Sequence, residues 1–295
     1  QELSRLPAFS AMKWSKEPVE LVEWMPLVME GRDAEKPVAA TSVERGTDVD
    51  FGALTKSYLD PLVEGDAVDL KTGFEVVDIF RQGRSDWRLL LKGQNSTKDV
   101  SAPFVFIGAG GGSLPLLQKS GIPQASIYAG FPVSGQWLVC SKQSLVSRHC
   151  AKVYGTVRGG SPPMSVPHLD SWINGERSLL FGPYAGFTTK FLRQGSRMDL
   201  LNSVKPSNIG SMLQVGRDNF DLISYLVGQV FQSNTDRFKA LKEFLPQADP
   251  VDWDLSIAGQ RVQIIKNTTK GGKLQMGTEV VTSEDGSLAA LLGAS

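Results

Sequence analysis

One stretch constrains the fold more than any other: Phe104-Val105-Phe106-Ile107 running directly into Gly108-Ala109-Gly110-Gly111-Gly112-Ser113. Four consecutive apolar residues are a short strand of the type buried in parallel sheets. The glycines after it allow a tight turn whose backbone N–H groups can approach a phosphate or a ring with no Cβ in the way. As a dinucleotide fingerprint the stretch fails. Its third glycine position is Ser113, Pro115 follows at once, and no acid lies about 20 residues downstream to hold a ribose hydroxyl. It also sits behind two strands rather than opening a domain. A strand-to-helix turn without a ligand therefore stands beside the ligand-binding reading. The uncharged run from Val100 to Gln118 is long enough to raise a membrane span, but Pro103, Pro115 and its glycines break it as a single helix.

The remaining pattern mixes two periodicities. Asp48-Val49-Asp50 offers N-cap oxygens to a helix carrying Phe51, Leu54, Tyr58 and Leu62. Phe74 to Phe80 and Trp87 to Leu91 read as strands joined through the Gly83 turn, and 136–140, 152–157 and 178–181 as further strands. Asp218 is placed to cap a helix over Phe220 to Phe231, and Asn234 or Thr235 a second one over Asp236 to Leu245, stopped by Pro246. Arg261 to Ile265 and Thr278 to Thr282 are strands, and Asp285-Gly286 turns the chain into a last strand at Leu288 to Leu292. Helices between strands, together with hairpins, predict a mixed α/β (α+β) fold.

Length and charge narrow the function. At ~150 residues per domain, 295 residues make two domains or one large one. Lys plus Arg equals Asp plus Glu at 31 each, which argues against a polyanion binder and so against nucleic acid. Cys140 and Cys150 cannot staple a chain this long, have no zinc-motif neighbours, and suit a reducing compartment; no metal site is expected. The neutrality is an average. From residue 100 to residue 169 there is no acid, whereas Lys119, Lys142, Arg148, Lys152 and Arg158 are all cationic. That stretch is either a surface that meets an anion or a strand-rich segment with few solvated positions. The N-terminus shows no signal peptide, and a chain starting at Gln1 and stopping three residues past an apolar strand is expected to be trimmed at both ends.

Two side chains, beside the glycine turn, are candidates for chemistry. His149, in the polar Ser147-Arg148-His149-Cys150, reads as surface. His168 ends the proline-stiffened run Pro162-Pro163-Met164-Ser165-Val166-Pro167, which suits a side chain that must be aimed; an imidazole is the natural base for an alcohol proton. A hydrogen-bonded structural histidine is the competing reading. Arg261 stands at the mouth of the apolar strand Val262 to Ile265, either paired with an internal acid or ready to grip a ligand carboxylate bidentately.

These segments, with Met29-Glu-Gly-Arg-Asp33, Gly46-Thr47-Asp48-Val49, Gly130-Phe-Pro-Val-Ser-Gly-Gln136, Ala258-Gly-Gln-Arg-Val-Gln-Ile-Ile265 and Ala289-Ala-Leu-Leu-Gly-Ala-Ser295, resemble the malate:quinone oxidoreductase family over essentially the whole chain. The resemblance implies a glutathione-reductase-like, D-amino-acid-oxidase-like flavoprotein that oxidises (S)-malate to oxaloacetate in the citric acid cycle. It implies FAD as cofactor, membrane quinone as electron acceptor, and a peripheral position on the cytoplasmic face of the inner membrane. The family opens with a strand–GxGxxG–helix unit for the FAD pyrophosphate, and this chain has none. The expectation is a portion of the enzyme: 1–73 and 120–260 mainly substrate domain, 74–119 and 261–295 parts of the FAD domain. By the same resemblance His168 is the base, Arg261 the carboxylate clamp and Lys190 a second cation. Val76, Gly108, Ala109 and Gly110 then border the adenine and ribitol side of FAD, and Gly182 lies near the isoalloxazine. A non-catalytic scaffold fragment is the alternative, and an NAD-dependent 2-hydroxy acid dehydrogenase a weaker one.

Overall fold

A computed structural model of the chain describes residues 5–44, 48–83, 86–155, 167–275 and 277–293. The chain begins with β1 (Lys13–Ser15), α1 (Pro18–Trp24), α2 (Pro26–Met29), β2 (Ala40–Ser42) and α3 (Phe51–Glu64). Proline opens α1 and α2, where its missing N–H would have had no helical partner. Asp50 caps α3, its carboxylate accepting from the Ala53 N–H at 2.9 Å, as the acidic run predicts. An antiparallel meander follows: β3 (Glu75–Gln82), β4 (Asp86–Lys92) and β5 (Thr97–Ala102). The sequence does not announce β5, because Thr-Lys-Asp-Val-Ser-Ala is an exposed edge strand with no apolar alternation.

Next come β6 (Val105–Ile107) and α4 (Ser113–Lys119), separated by the glycine turn, then β7 (Tyr128–Cys140) and α5 (Gln143–Val146). β8 (Val153–Tyr154), β9 (His168–Asn174) and β10 (Glu176–Phe187) complete the strands of the middle region. Four helices follow: α6 (Asp199–Ser203), α7 (Ile209–Asp218), α8 (Phe220–Val230) and α9 (Asn234–Phe244). Asp218 closes α7 instead of capping α8, and the cap of α9 is Ser233, whose hydroxyl accepts from the Asp236 N–H. The chain ends with β11 (Asp254–Ile257), β12 (Arg261–Thr268), β13 (Gly271–Gln275), β14 (Glu279–Thr282) and β15 (Leu288–Leu292). β14 and β15 form the expected antiparallel hairpin, and β15 runs parallel to β6. The architecture is mixed α/β. Among the described residues no helix is long and apolar enough to cross a membrane.

The chain divides into two compact units, and β7 and β10 each give residues to both. The first comprises residues 1–69, 136–184 and 231–256. β9 pairs antiparallel with β10 and with β8, and their inner face buries Leu169, Leu179 and Phe181 against Leu21, Val28 and Leu241. Cys140 is buried there with a free thiol, its pKa pushed up mainly by burial. His149 is fully buried, contrary to the surface position its polar neighbours suggest. The turn after α5 carries it inward, and loss of water pushes its pKa below the ordinary 6.5.

The second unit comprises residues 70–135, 185–230 and 257–295. Here β12 pairs antiparallel with β13 and with residues 128–133 of β7. Val105, Ile107, Leu114, Leu117, Leu288 and Ala290 belong to its core. Tyr128 donates its hydroxyl to Glu279 at 2.7 Å, and Lys266 pairs with the same carboxylate. Burial raises the Glu279 pKa, but the bonds from Lys266 and Tyr128 outweigh it, and the net shift is downward.

Candidate functional site

His168 opens β9 directly opposite Gly182 of β10 on one side and Tyr154 of β8 on the other. The neighbouring pair, Leu169 with Phe181, points into the core, so pleating turns His168 to the opposite face. Two rings flank the half-buried imidazole. Trp137 meets it edge to face at 5.3 Å between centroids, and Tyr154 lies against it at 5.0 Å and 30°. Gly182 has φ +152 and no side chain, and a Cβ there would sit 2.8 Å from the Gln136 carbonyl and 3.0 Å from the Trp137 ring. Within the first unit, the structure thus brings His168 and Gly182 together. Residues 156–166, with most of the proline run before His168, lie outside the described residues, as do Gly46, Thr47, Ala294 and Ser295.

The cations of the acid-free stretch are not an open anion surface. Lys142 bonds Asp252 at 2.9 Å, Arg148 bonds Glu30 at 2.7 Å and Lys152 bonds Asp170 at 2.5 Å. Lys119 donates to the Val77 carbonyl at 2.5 Å, and Arg158 lies outside the described residues. Acids distant in sequence neutralise what looks like a charged patch along the chain.

Arg261 behaves differently. It is exposed at the first position of β12, in register with Val133, and makes no ion pair among the described residues. Of its two readings, the internal salt bridge has no counterpart among the described residues. Lys190 precedes Phe191, and Arg261 precedes Val262. Phe191 and Val262 meet over Gly130, where a Cβ would stand 2.8 Å from the Phe191 ring and 3.0 Å from Val262. Both cations therefore belong to the second unit and adjoin one packing contact.

The glycine turn has a divided role. A Cβ on Gly111 would overlap the Phe191 carbonyl, so this glycine is required by packing. Gly110, at φ +55, has open space before it. Val76, Gly108 and Ala109 converge on an apolar pocket of about 180 Å³, walled also by Ile79, Leu89 and Val105. Apolar walls of this kind suit a ring rather than a phosphate. Sequence reasoning missed Trp137 and Tyr154 beside His168. Nothing in Gly-Gln-Trp or Lys-Val-Tyr marks them, because strand pairing alone brings them there.

The family model of malate:quinone oxidoreductase (Mqo) matches residues 1–295. The chain belongs to the malate:quinone oxidoreductase family. It is 64% identical to a probable malate:quinone oxidoreductase of Prochlorococcus marinus (strain MIT 9303), covering 100% of this chain and 60% of that protein. A second, from Synechococcus sp. (strain RCC307), is 62% identical over 100% of this chain and 61% of its own length. The chain thus spans about 60% of the length of these relatives. Among solved structures it is similar in fold to the glycerol-3-phosphate dehydrogenase from Bacillus halodurans complexed with FAD. That likeness has a TM-score of 0.55 at 15% identity and covers 96% of this chain and 48% of the other. The L-proline dehydrogenase from P. horikoshii gives 0.52 at 14% identity, covering 97% of this chain and 60% of the other.

Proposed function

We propose that the protein to which this chain corresponds oxidises (S)-malate to oxaloacetate and passes the electrons to membrane quinone. The reading rests above all on the family match over residues 1–295. In this reading it serves the citric acid cycle as a peripheral protein on the cytoplasmic face of the inner membrane. Malate is a dianion bearing a secondary alcohol, so its oxidation needs a base for the hydroxyl proton, an acceptor for the C2 hydride and cations for the carboxylates.

His168 takes the proton, since an imidazole titrates near neutral pH and its ring is held between Trp137 and Tyr154. Arg261 grips one carboxylate through its planar fork, which no acid among the described residues occupies. Lys190 serves as the second cation. FAD, when bound, supplies the hydride acceptor. The apolar pocket walled by Val76, Gly108 and Ala109 is the place for the cofactor's adenine in this reading, and Gly110 follows in the same turn with open space before it. Gly182 keeps its place near the isoalloxazine in this reading.

The decisive experiment is rapid-mixing reduction of the flavin by malate in the protein at the full length of its relatives. His168→Ala is expected to slow it by at least ~10²-fold, the lower range for a general base. An unchanged rate removes His168 from the mechanism.

A further inference from the structure

A histidine that acts as a base must present one ring nitrogen along one direction. Its backbone does not fix that direction, because the torsion between an sp³ carbon and a planar ring is broad and roughly two-fold. Something outside the residue has to set the ring plane.

Around His168 two side chains are in place to do so. Tyr154 is its direct cross-strand partner on β8 and leans against the imidazole face at 30°. Trp137 closes another side nearly perpendicular, at 85°. The site opposite His168 on β10 is Gly182, and its missing side chain is what gives the Trp137 ring room. Lys152, just before β8, bonds Asp170 of β9 at 2.5 Å, in line with the register of the two strands. Tyr154 is 62% exposed, so burial does not explain why its ring lies where it does. Among the described residues its ring contact is with His168, and its hydroxyl bonds Lys152.

We propose that Trp137 and Tyr154 are positioning residues, forming an aromatic slot that fixes the plane of the His168 imidazole so that its basic nitrogen faces the substrate hydroxyl. The catalytic part of this inference rests on His168 being the base. The slot itself rests only on the ring geometry and the strand register.

Leucine at either position removes a ring while keeping apolar bulk, and phenylalanine restores a ring. Two measurements on the protein at full relative length separate the possibilities: ring-proton NMR shifts of 13C-labelled histidine, and the rate and malate dependence of flavin reduction. The His168 signals are identified by their loss in His168→Gln. Tyr154→Leu should move the His168 ring signals downfield, and Trp137→Leu should move them as well, as each ring current disappears. Both should lower the limiting rate of flavin reduction by about tenfold to 10²-fold, the scale of a small misplacement of a reacting group. The malate concentration at half-maximal rate should stay within about twofold, since neither ring holds a carboxylate. Tyr154→Phe and Trp137→Phe should restore rate and signals. Because Tyr154 is exposed, its leucine variant should fold even if that of Trp137 does not.

Unmoved ring signals in Tyr154→Leu overturn the slot. Moved signals with a wild-type rate, while His168→Gln is inactive, overturn the positioning role. A fully active His168→Gln overturns the base reading and with it the catalytic use of the slot, and is told apart from failure of the slot because the ring signals still respond.

Discussion

In the first unit, chemistry is framed by side chains; in the second, by their absence. Lys142, Arg148 and Lys152 each meet an acid within 2.9 Å, and two aromatic rings enclose His168. Arg261, by contrast, makes no ion pair among the described residues, and the glycine turn leaves open space at Gly110. Residue type alone therefore does not mark an anion site. Every described cation of the acid-free run is satisfied, whereas Arg261 makes no ion pair among the described residues.

The comparison can be broken at either side. The largest effect is expected from Gly111→Ala, which drives a Cβ into the Phe191 backbone and should cost about 3 kcal/mol, read as a lower urea midpoint. A midpoint equal to wild type would mean that the turn is not held by packing. Arg261→Ala comes next. Losing a charge-assisted bond of about 1.5–3 kcal/mol should raise the malate concentration at half-maximal rate by roughly 10- to 10²-fold, with flavin content unchanged. Equal malate dependence in the variant would remove Arg261 from carboxylate binding.

His149 tests the interior of the first unit. Its folded pKa lies below the ordinary 6.5, so the unfolded chain binds the proton more readily. Stability from this group is fully present above that value and is lost as the pH falls below it. His149→Leu should flatten the acid side of a urea-midpoint-versus-pH curve between neutral pH and about pH 5. A curve parallel to wild type contradicts the assignment. The smallest effect belongs to Glu30→Gln. The pair it breaks with Arg148 is about half exposed on both sides, so the stability should change by no more than ~0.5 kcal/mol. A larger loss would show that these pairs hold the unit together.

Much of the fold was legible because its signals are local. The Asp50 cap, the Asp285-Gly286 hairpin and the apolar β6 beside its glycines each depend on a few adjacent residues. α7 was not legible. Ile-Gly-Ser-Met-Leu-Gln-Val-Gly contains two glycines and favours no helix, yet Ser211 and Val215 are buried on it and it packs on β13. The buried side of α8 shows the same limit, for Leu226 is enclosed while Val227 and Val230 stay exposed. Of the candidate residues, His168 and Arg261 could be shortlisted from chemistry and context. Trp137, Tyr154 and the partners of the cations could not, since they are set by strand register and by contacts between residues over 100 positions apart, such as Lys142 with Asp252.

The paired cations have a kinetic consequence. A charge with its counter-charge within 3 Å is a dipole at a distance, and its field fades faster than that of a single charge, well inside the ~8 Å Debye length of physiological salt. Lys142, Arg148 and Lys152 therefore draw no dianion in from solution. Under the proposed function, added salt should slow the capture of malate only through cations such as Arg261 that make no ion pair among the described residues, so the ionic-strength dependence of the encounter rate counts those cations and not the composition of the chain.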